Sequence, residues 1–131
     1  MSRQSISTSG APAAIGPYSQ GIALDGFLFC SGQIGLDPAT GDLVEGLEPQ
    51  TERVLRNIAA ILDSAGLSFA DVVKTTIMLT DITDFAAVNG IYSRFMVDPP
   101  PARSTFAVSA LPKGARIEIE AIARRPGSEA G

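Results

Sequence analysis

Apolar residues recur along this chain with two different spacings, which distinguish predicted strands from predicted helices. Five segments have the alternating or clustered apolar residues that are typical of strands: 21–24, 27–34, 72–79, 102–108 and 116–123. Two segments carry apolar residues every three or four positions and predict amphipathic helices: 49–65 and 85–96. The predicted order β-β-α-β-α-β-β indicates an α+β fold, a mostly antiparallel sheet with two helices on one face.

Turn residues indicate how neighbouring strands connect. Asp25-Gly26 separates the first two strands and is a strong hairpin signal. Leu111-Pro112-Lys113-Gly114 separates the last two strands, and we expect these to pair as an antiparallel hairpin as well. Because apolar residues occupy both faces of several strands, we expect a second copy of the chain to cover the sheet face away from the helices.

Length, composition and charge narrow the class of protein. With 131 residues, 45% of them hydrophobic, the chain predicts one domain, 1–131, with loosely held ends at 1–15 and 126–131. Its apolar runs are too short to span a membrane and its start lacks the pattern of a signal peptide, so we expect a cytoplasmic protein without a membrane partner. The net charge of −4 and the absence of a basic cluster argue against nucleic acid as a partner.

The absence of histidine excludes several kinds of site. The chain contains no histidine and one cysteine, so a zinc site, a Ser–His pair and a Cys–His pair have no candidates. Cys30 lies in an apolar run, which favours a packed core thiol over a nucleophile. Acid–base chemistry therefore falls to Asp, Glu, Tyr, Lys or water.

The stretch 101–123 carries the candidate chemistry. Alternation places Arg103 and Thr105 on one face of the first predicted strand, and Glu118 and Glu120 on one face of the second. A guanidinium can bind a carboxylate bidentately, and a carboxylate can deprotonate a water without a metal, so the predicted hairpin outlines a small hydrolytic site. The alternative is a cross-strand ion pair on a solvated sheet face, worth about 0.2–1 kcal/mol.

Three other positions are candidates for lining a site. Tyr18, in Gly16-Pro17-Tyr18, either caps a loop or points its hydroxyl into a cleft. Gly32, in Ser31-Gly32-Gln33, interrupts a strand, which indicates a bulge or the close approach of another group such as a ligand. Asn89 lies among the apolar positions of the second helix, where it either edges the buried stripe or contributes to a site.

Together these motifs resemble those of the RidA family (YjgF/YER057c/UK114) of imine and enamine deaminases. The resemblance runs from about residue 11 to residue 125 and is most specific where Arg103 and the run Ile-Glu-Ile-Glu-Ala match the family's signature. It implies a chorismate-mutase-like fold and a homotrimer with active sites between subunits. It also implies hydrolysis of 2-imino acids such as 2-iminobutanoate and 2-iminopropanoate, with their enamine tautomers, to 2-keto acids and ammonia. No cofactor and no metal are implied.

The resemblance also implies roles for individual residues. Arg103 matches the arginine that binds the substrate carboxylate, and Glu118 matches the glutamate that positions the attacking water. The residues matched to the substrate-binding pocket are Tyr18, Ser31, Gly32 and Asn89, with Thr105 standing where many members have cysteine. Glu120 belongs to the same signature and is expected to be structural.

Two functions of other classes compete with deamination. One is a metabolite-binding trimer without catalysis, as in family branches that lack the arginine, and the presence of Arg103 argues against it. The other is an endoribonuclease, an activity reported for some members, against which the acidic isoelectric point of about 4.6 argues.

Overall fold

One six-stranded sheet and two helices make up the computed structural model, which describes residues 2–127. The strands are β1 (Gln4–Ile6), β2 (Gly21–Leu24), β3 (Phe27–Gln33), β4 (Val72–Leu79), β5 (Ala102–Ala107) and β6 (Ile117–Arg124). The helices are α1 (Leu47–Ser64) and α2 (Phe85–Phe95). All strand pairs are antiparallel except β4–β5, which confirms the predicted α+β architecture. The predicted loose end at 126–131 lies mostly outside the described residues.

The core lies between the two helices and one face of the sheet. From α1 the fully buried apolar residues occur at the predicted helical spacing: Val54, Leu55, Ile58, Ile61 and Leu62. The sheet contributes alternate residues of its central strands: Leu28, Ile77, Leu79, Ile117 and Ile119. Cys30 belongs to this core, and burial raises the pKa of its thiol to about 12, which confirms a packed thiol.

The predicted hairpin at Asp25-Gly26 is confirmed. Asp25 has φ 53° and Gly26 has φ 83°, the left-handed conformation that a tight two-residue hairpin turn requires at both positions. β3 continues from this hairpin to pair with β6, and the register shifts between Cys30 and Gln33. This irregularity is the bulge that Gly32 predicts.

The predicted hairpin between the last two strands is wrong. β4 lies between them, parallel to β5 and antiparallel to β6, in the sheet order β1-β2-β3-β6-β4-β5. The physical reason is that β4, α2 and β5 form a strand–helix–strand unit, in which the helical crossover brings the second strand back parallel to the first. β4 also buries four of its residues, whereas β5 buries none and so occupies the edge.

The beginning of the chain is more ordered than predicted. β1 pairs antiparallel with β2, from Gln4↔Ala23 to Ile6↔Gly21. The expectation of a loosely held end at 1–15 is therefore wrong for this part of the chain. The sequence Gln4-Ser5-Ile6 has only one apolar residue, so alternation gives no signal, and the strand forms because β2 offers it an edge for backbone hydrogen bonds.

The sheet face away from the helices carries exposed apolar side chains. Phe29 of β3 and Phe106 of β5 are 43% and 46% exposed. Both lie on the face that we expect a second copy of the chain to cover. Within residues 2–127, no helix is both long and apolar enough to cross a membrane.

Candidate active site

A cavity of about 510 Å³ lies where β3 meets β6. Four of the sequence-predicted site residues line it: Tyr18, Ser31, Gly32 and Glu118. Apolar side chains form much of the remaining wall: Pro12, Ala13, Ile15, Ile34, Leu36 and Pro112. A mostly apolar cavity with a few convergent polar groups is the usual form of a small-molecule site.

Glu118 is the titratable carboxyl group of this cavity. The alternation of β6 buries Ile117 and Ile119 in the core and directs Glu118 to the opposite face, where it is half-buried. Burial raises the pKa of Glu118, and the neighbouring charge of Glu120 raises it further. Among residues 2–127 no side chain forms a hydrogen bond or ion pair with the Glu118 carboxylate. The group is therefore free to accept a proton from a water molecule.

Gly32 lies directly against the Glu118 carboxyl group. A Cβ atom at position 32 would clash with Oε2 of Glu118 and would lie 2.9 Å from its Cδ. Only glycine permits this approach without displacing the carboxylate. The sequence predicts that another group closely approaches Gly32. Within one chain that group is the Glu118 side chain.

Ser31 and Tyr18 present hydroxyl groups to the same cavity. The Ser31 hydroxyl donates to the Ser19 carbonyl at 2.6 Å, and the Ser31 amide donates to the Gln20 carbonyl at 2.9 Å. The Ser31 Oγ can therefore act as an acceptor toward a ligand. Tyr18 is 53% exposed, and its Oη accepts a hydrogen bond from the Ile15 amide at 3.4 Å, which leaves the phenolic proton free to be donated. Tyr18 thus lines the cavity and also bonds to its own loop, so both interpretations of this residue stay predictions.

Arg103 lies in a different place, beside α2. Its Nη1 donates to Oδ1 of Asn89 at 2.8 Å. Its Cζ lies 5.2 Å from the ring centroid of Phe85 and 5.0 Å from that of Tyr92, within cation–π range. The Tyr92 ring is in turn fixed by a buried hydrogen bond of 2.6 Å between its hydroxyl and that of Thr75. These contacts orient an exposed guanidinium and leave most of its donors available for a carboxylate.

Thr105 points to the same side of β5 as Arg103, as predicted. The two residues pair with Thr75 and Ile77, both of which face the core. The Thr105 Oγ1 is buried and has no hydrogen-bond partner within residues 2–127. An unsatisfied buried hydroxyl is unfavourable by about 1–3 kcal/mol, so this hydroxyl lowers the stability of the fold.

The predicted site residues thus form two separate groups in one chain. One group surrounds the cavity (Tyr18, Ser31, Gly32 and Glu118), and the other lies beside α2 (Asn89, Arg103 and Thr105). Arg103 pairs with Thr75, which pairs with Ala121, three residues from Glu118. The Arg103 and Glu118 Cα atoms are thus two strand spacings apart across the sheet and three residues apart along it. Combined, these offsets correspond to a distance of about 14 Å. Because their side chains also point to opposite faces of the sheet, one chain does not bring both to one small substrate.

Some residues of these two groups were missed in the sequence. Phe85 and Tyr92 belong to no motif that points to a site, although their spacing of four and three residues from Asn89 places all three on one helix face. Lys113 lines the cavity with φ 59°, but the sequence identified it only as a turn residue. The apolar residues at 12–15 carry no motif and gave no signal.

Comparison with known proteins finds relatives over almost the whole chain. A family model described as endoribonuclease L-PSP matches residues 8–125. The 2-iminobutanoate/2-iminopropanoate deaminases of Capra hircus and Homo sapiens are 52% and 51% identical over 122 residues, which cover 92% of this chain and 89% of each relative. The solved structure of RidA from an Antarctic Psychrobacter species has a TM-score of 0.90 and 46% identity, and the match covers 92% of this chain and 98% of that one. This likeness confirms the expected chorismate-mutase-like α+β fold.

Proposed function

The chain belongs to the endoribonuclease L-PSP family, which includes the RidA proteins, and on that premise we propose that it is a hydrolytic deaminase of 2-imino acids. It converts 2-iminobutanoate and 2-iminopropanoate, with their enamine tautomers, to 2-keto acids and ammonia, and so removes reactive intermediates. The observation that carries this conclusion is about half identity, over 122 residues, with relatives named 2-iminobutanoate/2-iminopropanoate deaminase.

Two charged residues divide the chemistry in the proposed mechanism. Arg103 binds the substrate carboxylate and thereby places C2 of the imine against a water molecule. Starting from the N-protonated imine, Glu118 accepts a proton as the water oxygen attacks C2, which gives a carbinolamine, and it returns that proton to the nitrogen. The C–N bond then breaks, ammonia leaves, and the hydroxyl proton passes to Glu118 as the keto group forms. The raised pKa of the half-buried Glu118 carboxyl group supports this role, because a base whose pKa lies nearer the working pH exchanges protons more readily in both directions.

We propose that each site is completed by two chains of a homotrimer. The Glu118 cavity of one chain would meet Arg103, Asn89 and Thr105 of its neighbour. The separation of about 14 Å and the opposite orientation of Arg103 and Glu118 within one chain support this arrangement. So do the apolar side chains on the open sheet face, since a second chain packed there would bury them. A cytoplasmic location, which the sequence predicts, completes the proposal.

Thr105 would contact the substrate or the neighbouring chain in this arrangement. Its hydroxyl is buried and unpartnered within residues 2–127, on the same strand face as Arg103. The support for this contact is the resemblance, which matches Thr105 to a pocket position, and the strand face that it shares with Arg103. Because threonine stands where many relatives of this type have cysteine, no thiol-based response is proposed at this position.

The proposed activity is tested by competition with a chemical trap. Threonine dehydratase and threonine generate the four-carbon enamine and imine in solution, and semicarbazide captures the imine as a semicarbazone. We expect the protein to suppress semicarbazone formation and Arg103→Ala to abolish most of the suppression. Full trapping in the presence of the folded wild-type protein would refute deamination and favour a binding function, whereas cleavage of RNA by the same preparation would favour the endoribonuclease alternative.

A further inference from the structure

The segment 8–15, called the strap below, forms one wall of the Glu118 cavity. Its Pro12, Ala13 and Ile15 line the cavity and make that wall apolar. The strap belongs to neither a helix nor a strand, so the backbone hydrogen bonds of regular structure do not fix its position. Ala11 anchors the strap by packing into the core, and the backbone polar groups of the strap need partners elsewhere in the molecule.

Gln20 holds the strap through its side-chain amide. Its Oε1 accepts from the Thr8 amide at 2.7 Å. Its Nε2 lies within hydrogen-bond distance of three strap carbonyls, those of Thr8 at 3.1 Å, Ala11 at 3.2 Å and Pro12 at 2.7 Å. The Gln20 side chain is buried, and its backbone carbonyl accepts from the Ser31 amide of β3. Gln20 therefore ties the strap to the sheet, and only a carboxamide offers both the acceptor and the donors for these contacts.

The cavity extends from the Glu118 carboxylate to the strap. Its volume is about 510 Å³ in one chain, with Gly32 and Glu118 on one side and Pro12, Ala13 and Ile15 of the strap among its other walls. The carboxyl and imine groups of the substrate require polar partners, and the apolar strap wall offers none. The wall instead suits the hydrocarbon side chain attached to C2.

We propose that Gln20 is a positioning residue that sets the side-chain specificity of the deaminase. By fixing the strap, it holds Pro12, Ala13 and Ile15 as the wall against which an aliphatic substrate side chain packs. Substrates with longer or branched aliphatic side chains depend on this wall, whereas the smallest substrate barely reaches it. The inference rests on the proposed function, because it concerns the part of the same site that recognises the side chain.

Replacing the carboxamide by an apolar group of similar length tests the inference. Gln20→Leu removes the acceptor and both donors through which the side chain contacts the strap. We expect the KM for the branched 2-imino-4-methylpentanoate to rise about 10-fold relative to that for 2-iminopropanoate, with the change in KM rather than in kcat, because the lost contacts bind the side chain equally in the ground and transition states. Hydrogen exchange should also become faster at the Thr8 amide, which loses its acceptor.

Two further variants separate specificity from general destabilisation. Ile58→Val removes one methylene from the buried face of α1 and leaves the Gln20 contacts in place, so it should leave the ratio of the two KM values unchanged. Ile15→Ser alters the strap wall itself, and because Ile15 is 75% exposed this change does not threaten the fold. It should shift the same ratio in the same direction with Gln20 intact.

Binding of the products provides a readout that does not depend on catalysis. The dissociation constants of 4-methyl-2-oxopentanoate and pyruvate, measured by calorimetry, should change in the same ratio as the KM values in Gln20→Leu and Ile15→Ser. An unchanged ratio in both variants would overturn the inference, even if the strap exchanges faster. A wild-type protein that hydrolyses no imino acid would refute the proposed function, while the keto-acid ratios would still decide the role of Gln20. Failure to bind either keto acid would overturn the inference as well.

Discussion

Mixing two damaged variants tests whether the active site requires two chains. Arg103→Ala removes the proposed carboxylate-binding group, and Glu118→Gln removes the proposed base. If each site takes Arg103 from one chain and Glu118 from the next, a mixed trimer contains sites in which both groups are wild type. If both groups act within one chain, every chain in the mixture lacks one of them.

The two-chain arrangement determines how much of the wild-type activity the mixed trimers should recover. In a trimer assembled at random from equal amounts of the two variants, a site receives an intact Arg103 with a probability of about one half and an intact Glu118 with the same probability. The two events are independent because they concern different chains. About a quarter of the sites, and about a quarter of the wild-type activity, should therefore return, against losses of roughly 10-fold or more for each variant alone.

The assay uses the semicarbazide competition after the two variants are unfolded and refolded together. Wild-type protein and each variant refolded alone are the controls, and native mass spectrometry of variants with different tags measures the mixed assemblies. Activity equal to the mean of the two variants, in a sample that contains mixed trimers, would refute the two-chain site. It would require Arg103 and Glu118 to act from one chain, against the separation of about 14 Å that the strand register gives.

Four more predictions concern individual residues of the proposed site. Arg103→Ala should lower kcat/KM by roughly 10–150-fold through loss of a charge-assisted contact worth about 1.5–3 kcal/mol, and unchanged turnover would exclude it as the carboxylate-binding group. Because burial and Glu120 raise the pKa of Glu118, activity should fall on acidification already above the ordinary glutamate range near 4.3, and Glu120→Gln should move this limb to lower pH. The same raised pKa means that the folded state favours the protonated group, so the stability that this group contributes is present at low pH and is lost as pH rises through its folded-state pKa. Glu118→Gln should therefore raise the midpoint of thermal unfolding at pH 7 while lowering kcat by on the order of 10²–10⁴-fold, and a lower midpoint would contradict the burial argument. Gly32→Ala should lower kcat in a protein that remains folded by circular dichroism, because its Cβ would displace the Glu118 carboxylate, and full activity would contradict this close approach.

The turn at residues 25–26, helix α1 and the two faces of β6 were predicted correctly from the sequence. Each of these features depends only on residues that are close together in the chain. The turn at Asp25-Gly26 needs only two residues that tolerate positive φ, and both adopt it. The helical spacing of apolar residues placed α1 within two residues at each end. The face assignment in β6 was also correct, since alternation alone separates Glu118 from the buried Ile117 and Ile119.

Pairing between distant segments could not be predicted in the same way. Turn residues near Pro112 indicated a change of direction but did not identify which strand lies next to β6. The sequence does not predict the short β1, because its pairing depends on the free edge of β2 and not on its own side chains. The strap was missed for a similar reason, because its backbone groups bond to the Gln20 side chain, and nothing in the sequence of the strap indicates that pairing.

The sequence predicts Arg103 and Glu118 on one hairpin, but β4 lies between their strands, β5 and β6. This insertion explains why the proposed site needs two chains. Parallel pairing with β4 sets the register of β5 and places Arg103 opposite Thr75, on the face of the sheet covered by α2. This register gives the guanidinium its contacts with Asn89, Phe85 and Tyr92. A shift of one residue would turn Arg103 to the face of Glu118, but it would remove all three contacts. The register that orients Arg103 therefore also keeps it away from Glu118 of the same chain, and a neighbouring chain has to bring the two together.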